Sequence, residues 1–371
     1  MSENYPIPFC DLKRQYGMYF KKYSDAVGEV LKAADFCNGR FVKKFEGDFA
    51  SFCGTSFACG VGSGTDALFL ALRALGIKEG DEVILPSYTF VSTAWSVVYN
   101  GAVPVFVDCT EDTWEINGDK TEEAVTKKTK AIIGVHLFGQ PFDFDKVKKT
   151  ADKYSLPIVE DCAQAHGAKY KGRPVGGLGE VGCFSFYPTK NLASCGDAGC
   201  VVTNDEVCAK RVKSLSTHCA EKETGDHTDI GFNMRMGDIE AAVLGVNLSL
   251  LDELNGKRKV ICEGYDRGIT NPLIKKQNFS DDVTAARHMY VVTVDDREKF
   301  MAHMAKKGIE CRIHYALPCH LMKAFSYLGY KEGSLKNSEY LSAHCVSLPM
   351  YSMLTEEERE IITDACNSYG K

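Results

Sequence analysis

The chain has 371 residues, of which 44% are hydrophobic and 25% are charged, and its formal net charge is −6. This size and composition predict a globular protein of two domains, and the charge argues against a nucleic-acid-binding protein, because phosphate contacts need clustered Lys and Arg. No apolar run reaches the roughly 18 residues of a membrane span, and the first residues lack an apolar leader core, so we expect a cytoplasmic protein without membrane contact.

Sixteen cysteines are present, and no two of them have the C-x-x-C spacing of zinc or redox sites. The closest pairs are Cys195/Cys200 and Cys53/Cys59. Reduced thiols that serve as small buried hydrophobic residues are the better interpretation. We therefore expect no metal site and no disulfide framework.

Short apolar runs alternate with helix-like segments between about residues 58 and 205. The predicted strands are Ala58–Val61, Val83–Leu85, Val103–Val107, Ala131–Val135, Pro157–Glu160, Cys183–Phe186 and Gly199–Thr203. The predicted helices are Thr65–Leu75, Phe90–Tyr99, Lys120–Thr126 and Phe144–Tyr154. This alternation predicts an α/β layer fold with a largely parallel sheet.

The pattern changes after about residue 236. A long helix is predicted over Asp238–Leu254 and on through Tyr265, followed by a strand over Met289–Val294, a helix over Arg297–Lys307 and a strand over Glu310–His314. These elements predict a smaller α+β domain. We expect a large domain over 1–250 and a small one over 251–371, with residues 1–40 packed back onto one of them.

The turn after the first predicted strand holds Gly64 and Thr65 just before a helix. Ligands of parallel sheets bind at the carboxyl ends of strands, where free helix amides accept an anion. The glycine allows a tight turn, and the amides with the Thr65 hydroxyl can hold a phosphate. A plain turn with Ser63 or Thr65 as helix N-cap remains the alternative.

Asp161 ends another predicted strand, so its carboxylate points to where a ligand would lie. A carboxylate in that position can keep a pyridine nitrogen protonated and so make the ring an electron sink. Its alternative role is that of a helix cap. Phe90 follows a third strand and can stack on a flat cofactor, although such residues are more often core.

Lys190 follows the apolar strand Cys183–Phe186 and precedes the glycine-rich Gly196–Gly199, with Ser185 five residues before it. Most lysines are solvated surface residues. A lysine beside an apolar wall, however, can lose its proton near neutral pH, which Schiff-base chemistry requires.

Several of these residues belong to a series of motifs that spans nearly the whole chain. The motifs are Pro8–Lys13, Gly64–Leu68, Gly80–Ile84, Pro104–Asp108, Val135–Gln140, Glu160–Gly167, Ser185–Asn191, Asn233–Met236 and Ser347–Met350. With these motifs in this order, the chain resembles the sugar aminotransferases of the DegT/DnrJ/EryC1/StrS group. The resemblance implies the aspartate-aminotransferase fold (fold type I) and pyridoxal 5'-phosphate (PLP) as cofactor.

The resemblance also implies a role for each site residue. Lys190 would carry PLP as an imine and then shuttle the proton, while Asp161 would face the pyridine nitrogen and Gln164 the phenolic oxygen. Phe90 would cover the ring. The phosphate would be held by Gly64, Thr65, Ser185 and by Asn233 from the second subunit of a homodimer. Tyr187, His314 and Tyr315 would lie around the sugar, and Arg235 would either meet the nucleotide or only brace its loop.

Three positions depart from the family pattern. Gly-Asp-Gly-Gly reads Gly-Asp-Ala-Gly at Gly196–Gly199, Glu240 replaces a glutamine, and His-Tyr-Pro becomes His-Tyr-Ala at His314–Ala316. These departures concern substrate fit more than cofactor binding. Lys190 argues against the branch of the group that has histidine there and performs dehydration.

The implied reaction moves an amino group from glutamate to a nucleotide-linked keto sugar. The Tyr187–Leu192 stretch with Gly196 and Asp197 resembles members of the group that act on a ketone at carbon 3 of the sugar more than members that act at carbon 4. The resemblance therefore implies a 3-keto-6-deoxyhexose, for which we expect dTDP as the carrier. Alternatives are a 4-keto or UDP-linked sugar, another PLP enzyme of this fold such as a cysteine desulfurase or amino-acid aminotransferase, and a catalytically silent regulatory protein.

Overall fold

A seven-stranded sheet forms the centre of the larger part of the molecule in the computed structural model, which describes residues 5–221 and 223–371. The strand order is β1-β9-β8-β5-β4-β2-β3, and only β9 runs against the other members of this sheet. The strands are β1 (Phe57–Val61), β2 (Glu82–Pro86), β3 (Val103–Val107), β4 (Thr129–Val135), β5 (Ile158–Asp161), β6 (Lys169–Tyr170), β7 (Arg173–Pro174), β8 (Val181–Ser185), β9 (Gly199–Thr203), β10 (Lys275–Lys276), β11 (Val283–Thr284), β12 (Tyr290–Thr293) and β13 (Cys345–Leu348). The predicted α/β class and the predicted strands of this sheet are confirmed.

Helices cover both faces of the sheet, so its strands are buried along nearly their whole length. The helices are α1 (Leu12–Met18), α2 (Phe20–Ala33), α3 (Arg40–Cys53), α4 (Gly64–Ala74), α5 (Ser92–Tyr99), α6 (Gly118–Glu123), α7 (Phe144–Tyr154), α8 (Glu206–Ser216), α9 (Asp238–Gly268), α10 (Arg297–Lys306), α11 (Lys336–His344) and α12 (Glu356–Ser368). The sequence analysis located α4 to α7, α9 and α10, and assigned no helix to α1 to α3, α8, α11 or α12.

A second, antiparallel sheet has the order β10-β12-β13 and packs with α9, α10 and α12 around a separate apolar core. Helix α9 contributes Leu244 and Leu251 to a core beneath the large sheet, and Ile261 and Tyr265 to the core of the small one. This long helix crosses the expected boundary at residue 250, which stays a prediction.

The strand predicted over Glu310–His314 is wrong. Only Arg312 pairs there, through two backbone hydrogen bonds with Ser347. The chain then leaves the sheet, and the Tyr88 hydroxyl donates to the His314 carbonyl at 2.8 Å.

The amino-terminal segment packs back onto the rest of the chain. Ile7 pairs with Ile309, and α2 and α3 lie along α9. Residues 1–4, included in the prediction that 1–40 pack back, lie outside the described part. All sixteen cysteines are described and are free thiols. Within the described ranges, no helix combines the length and the apolar character that crossing a membrane requires.

Asp238 joins the amino-terminal segment to α9. It is fully buried, and its carboxylate accepts hydrogen bonds from the backbone N–H groups of Gly39, Phe41 and Val42 at 2.8, 3.0 and 3.2 Å. It thereby caps α3, whose own N-cap residue Gly39 has no side chain.

We predict that Asp238→Ala lowers the free energy of unfolding by about 3 kcal/mol, since buried N–H groups lose their acceptor. The urea midpoint followed by fluorescence measures the change. The control is Asp48→Ala, on the exposed face of α3, the helix that Asp238 caps. It should change stability by less than about 0.5 kcal/mol. Equal midpoints for the two variants would contradict the capping role.

Candidate active site

A cavity of about 500 Å³ opens at the carboxyl edge of the large sheet. It lies where β1, β2, β4, β5 and β8 end, because these strands run in one direction. The predicted site residues that line it are Gly64, Thr65, Phe90, Asp161, Gln164, Ser185, Tyr187, Lys190, His314 and Tyr315. Chain segments far apart in sequence therefore meet at one place.

Lys190 lies in the turn that follows β8, held by a hydrogen bond from its backbone N–H to the Tyr187 carbonyl at 2.8 Å. Removal of water by the surrounding protein lowers the pKa of its amino group to about 8, and the negative charge of Asp161 offsets part of this effect. A substantial fraction of the amine is therefore neutral, and nucleophilic, near physiological pH.

Asp161 is the last residue of β5 and is buried. Its Oδ2 accepts a hydrogen bond from Thr93 Oγ1 at 2.8 Å, and its Oδ1 accepts one from the Ala163 N–H at 3.1 Å. Burial raises the pKa of the carboxyl, while these two donors oppose the rise. No helix begins at Asp161, so its bond to Ala163 belongs to a local turn rather than to the helix cap considered above.

The amino terminus of α4 forms another wall. Ser63, not Thr65, is its N-cap: Ser63 Oγ accepts from the Asp66 N–H at 3.1 Å. Thr65 donates to Ser92 Oγ at 2.9 Å. A Cβ on Gly64 would lie 2.5 Å from Ser185 Cβ, so only glycine lets the helix end approach the Ser185 hydroxyl this closely.

Gln164 connects two sides of the cavity. Its Oε1 accepts from the Phe138 N–H at 2.6 Å, and its Nε2 donates to the Tyr315 hydroxyl at 3.0 Å. Burial raises the pKa of Tyr315, which therefore stays a neutral hydroxyl. The Tyr315 ring in turn lies 5.7 Å from that of Phe90, whose side chain is 52% exposed at the mouth.

Tyr187 and His314 complete the wall on the open side. Tyr187 is exposed, and His314 Nδ1 lies 2.9 Å from Ser347 Oγ. Burial and the positive charge of Lys190 lower the pKa of His314 to about 4, so its imidazole is neutral.

Asn233 and Arg235 do not reach this cavity within one chain. Asn233 forms a backbone bridge with Thr217, and Arg235 forms one with Val61. The Arg235 guanidinium lies on the surface, 3.4 Å from His218 Nε2.

The sequence analysis missed several residues that line or support the cavity. Thr93 gave a local signal, since it lies in the first turn of the helix that follows β2, at the sheet edge where ligands bind. In the structure its hydroxyl lies 2.9 Å from Thr89 Oγ1. His288 and Trp95 also line the wall, and nothing in their immediate sequence pointed to them.

A buried group of His136, Glu160 and Cys162 lies directly behind the site. The Glu160 carboxylate accepts hydrogen bonds from His136 Nε2 at 3.0 Å and from the backbone N–H groups of Gly176, Leu178 and Gly179, each at 2.8 Å. Its oxygens are thus occupied by donors, and the group anchors β5 beside Asp161.

Comparisons with known proteins agree with this geometry. The sequence model described as the DegT/DnrJ/EryC1/StrS aminotransferase family matches residues 20–367. The dTDP-3-amino-3,6-dideoxy-alpha-D-galactopyranose transaminase of Aneurinibacillus thermoaerophilus is 40% identical over 98% of this chain and 99% of its own.

Solved structures share the whole fold. DesV from S. venezuelae, in complex with a ketimine intermediate, matches with a TM-score of 0.95 at 37% identity, over 99% of this chain and 98% of that one. The ntda protein of Bacillus subtilis with bound cofactor PMP matches with a TM-score of 0.90 at 28% identity, over 98% of this chain and 85% of that one. The fold is thus that of PLP-dependent aminotransferases, as predicted, and the chain belongs to the DegT/DnrJ/EryC1/StrS aminotransferase family.

Proposed function

We propose that this enzyme transfers an amino group from glutamate to the keto group of a nucleotide-diphosphate-linked deoxysugar, with a dTDP-linked 3-keto-6-deoxyhexose as its substrate. The observation that carries the proposal is the shared cavity of Lys190 and Asp161. The full-length similarity to a dTDP-3-amino sugar transaminase supports the substrate class.

The residues present fit PLP. The close approach of Gly64 to Ser185 leaves a cradle of amide and hydroxyl donors at the amino end of α4, suited to a phosphate. Gly64, Thr65 and Ser185 would hold that group, Phe90 would cover the ring, and Gln164 would face the phenolic oxygen. When bound, PLP supplies an aldehyde that bonds to amines and a ring that accepts the electron pair released from the donor's α carbon.

In this proposal, Lys190 is the residue that would hold the cofactor covalently. Its freed Nζ would take up and return the proton of the donor's α carbon. Asp161 keeps the pyridine nitrogen protonated, which draws electrons toward the ring. The sugar ketone would be aminated by the same steps in reverse, with Lys190 and Asp161 keeping their roles.

The sugar nucleotide would lie against Tyr187, His314 and Tyr315 at the open side of the cavity. We infer that Asn233, for the phosphate, and Arg235, for the nucleotide, serve the neighbouring subunit of a homodimer. Their position outside the cavity of their own chain supports this inference. So does Ile230, an apolar residue of the same segment whose side chain is 76% exposed.

We further propose a cytoplasmic location, which suits sixteen unpaired thiols. A division into a large domain over 1–250 and a small one over 251–371 likewise remains part of the proposal.

The substrate is tested by offering the purified enzyme glutamate with 3-keto and 4-keto sugars linked to dTDP or UDP. Mass spectrometry should show the gain of an amine on the dTDP-linked 3-keto sugar. Amination of a 4-keto or UDP-linked sugar would correct the substrate, and turnover of amino acids alone would reject the sugar assignment.

We predict that Asp161→Ala lowers kcat by a factor on the order of 10²–10³, because the charge that stabilises the protonated ring is lost. Steady-state kinetics at saturating substrate measure this. Asp25→Ala, which removes an exposed carboxylate of α2, should leave kcat unchanged. An Asp161→Ala enzyme as fast as this control would refute the assigned role.

The pKa of Lys190 predicts how cofactor capture depends on pH. Only the unprotonated amine attacks an aldehyde, so the rate at which the cofactor-free protein binds PLP covalently should rise with pH and level off above about 8. Absorbance spectroscopy follows the reaction. In Asp161→Asn the midpoint should move to lower pH, because the carboxylate raises the pKa of Lys190; an unchanged midpoint would contradict the coupling.

Mixed dimers test whether the site is shared. Lys190→Ala and Asn233→Asp should each inactivate both sites of a homodimer, whereas a heterodimer of the two would carry one intact site. Random mixing should then restore about a quarter of native activity. No recovery in a mixture shown to contain heterodimers would mean that Asn233 does not serve the partner's site.

A further inference from the structure

His288 is a buried imidazole in the wall of the cavity to which the reaction above gives no task. It is 4% exposed and lies in the connection that leads into β12 of the small sheet. Its backbone is fixed on two sides, since its N–H donates to the Phe138 carbonyl at 3.0 Å and its carbonyl accepts from Arg258 Nη1 at 3.1 Å. The ring therefore has a defined place.

The ring is also bound to the residue next to Lys190. His288 Nδ1 lies 2.9 Å from Asn191 Oδ1, although the two residues are 97 positions apart in sequence. Lys190 and His288 border the same cavity. The chain thus ties this imidazole to the segment that carries the reactive amine.

A chain of amides fixes which way this hydrogen bond runs. Asn255 Nδ2 donates to the His166 carbonyl at 2.9 Å, so Asn255 Oδ1 is an acceptor, and it receives Asn191 Nδ2 at 2.9 Å. The same Asn191 Nδ2 donates to the Ala286 carbonyl at 2.7 Å. Because carbonyls only accept, Asn191 must present Oδ1 to His288, and His288 Nδ1 must carry the proton.

The other ring nitrogen is then left as an acceptor. His288 Nε2 is buried and has no hydrogen-bond partner among the described residues. The charged groups that act on the ring, Lys190 and Arg258, are cationic, and its imidazole neighbours are His166 and His314. Together with burial they lower the pKa of His288 well below its usual value, so Nε2 keeps a free lone pair.

We propose that His288 is a positioning residue for this reaction: when the Lys190 amino group is freed, the unpaired Nε2 of His288 accepts a hydrogen bond from it and orients it for proton transfer. The inference rests on the function proposed above. An amine that donates one N–H to Nε2 has its lone pair directed elsewhere, free to take the donor's α proton. His288 gains and loses no proton in this role.

Three other imidazoles lie near the site, and each lacks one of these features. His136 lines the cavity, but its Nε2 donates to Glu160 and its Nδ1 accepts from the Phe142 N–H at 3.4 Å, so neither nitrogen is free. His314 Nδ1 faces the hydroxyl of Ser347, which can donate or accept, so its tautomer is not fixed. His166 packs against the rings of Phe184 and Phe186 and is not part of the cavity wall. Among these four imidazoles, His288 combines a fixed tautomer, an unpaired ring nitrogen and a place beside the cavity.

The kinetic test uses His288→Leu, with His288→Gln as the variant that restores an acceptor. In His288→Leu the rate of the absorbance change on adding glutamate should fall by a factor on the order of 10–100, as misorientation of a reacting group implies. The isotope effect measured with α-deuterated glutamate should be larger in His288→Leu than in the native enzyme. His288→Gln should recover part of the rate that His288→Leu loses. The KM for the sugar should stay within about twofold, since only proton transfer is affected.

His344→Leu is the matched control, because His344 lies in α11 and bonds to the Val294 carbonyl away from the cavity. It should keep the native rate and isotope effect. A His288→Leu enzyme that binds cofactor normally and keeps both quantities would overturn the proposal. If the native enzyme itself shows no absorbance change when glutamate is added, the proposed function is rejected instead.

A second measurement does not depend on activity. Nitrogen-15 NMR of histidine-labelled protein without cofactor should show His288 with a protonated Nδ1 and a bare Nε2 across neutral pH. The signal is assigned by its absence in His288→Leu. A protonated Nε2 would leave no acceptor for Lys190 and would overturn the proposal.

Discussion

The Lys190 amine and the Asp161 carboxylate border one cavity in which the protein excludes most water from both. Exclusion makes the amine easier to deprotonate and the carboxylate harder to ionise, while their mutual attraction works in the opposite direction. Thr93 and the Ala163 N–H strengthen the charged form of Asp161. The site can therefore hold a neutral nucleophile and a carboxylate close together, which the proposed chemistry needs at the same pH.

This arrangement depends on how closely the backbone packs at the strand ends. Gly199 of the reversed strand β9 pairs with both Val61 and Ser185, and a Cβ there would lie 2.2 Å from the Ser63 carbonyl. Gly64 meets Ser185 in a similar way. Two missing side chains thus bring the amino end of α4 against the end of β8, and the proposed phosphate cradle follows from the sheet itself.

Local patterns identified most of the sheet and the residues at its edge. Apolar runs bounded by Gly, Pro or Asp located the strands, and the rule that ligands bind at parallel strand ends selected Gly64, Asp161 and Lys190. The reversal of β9 and the contact of His288 with Asn191 depend on pairing between distant segments, which no local pattern encodes. The failed strand at Glu310–His314 had a suitable pattern, but strand formation also needs a partner strand, and Arg312 alone in this stretch pairs with one.

The central claim is that Lys190 carries the cofactor, and borohydride reduction of the native enzyme followed by peptide mapping tests it most directly. We expect a single stable cofactor adduct on the peptide that contains Lys190, and none in Lys190→Ala treated in the same way. An adduct on another lysine, or no adduct in the native enzyme, would contradict the account.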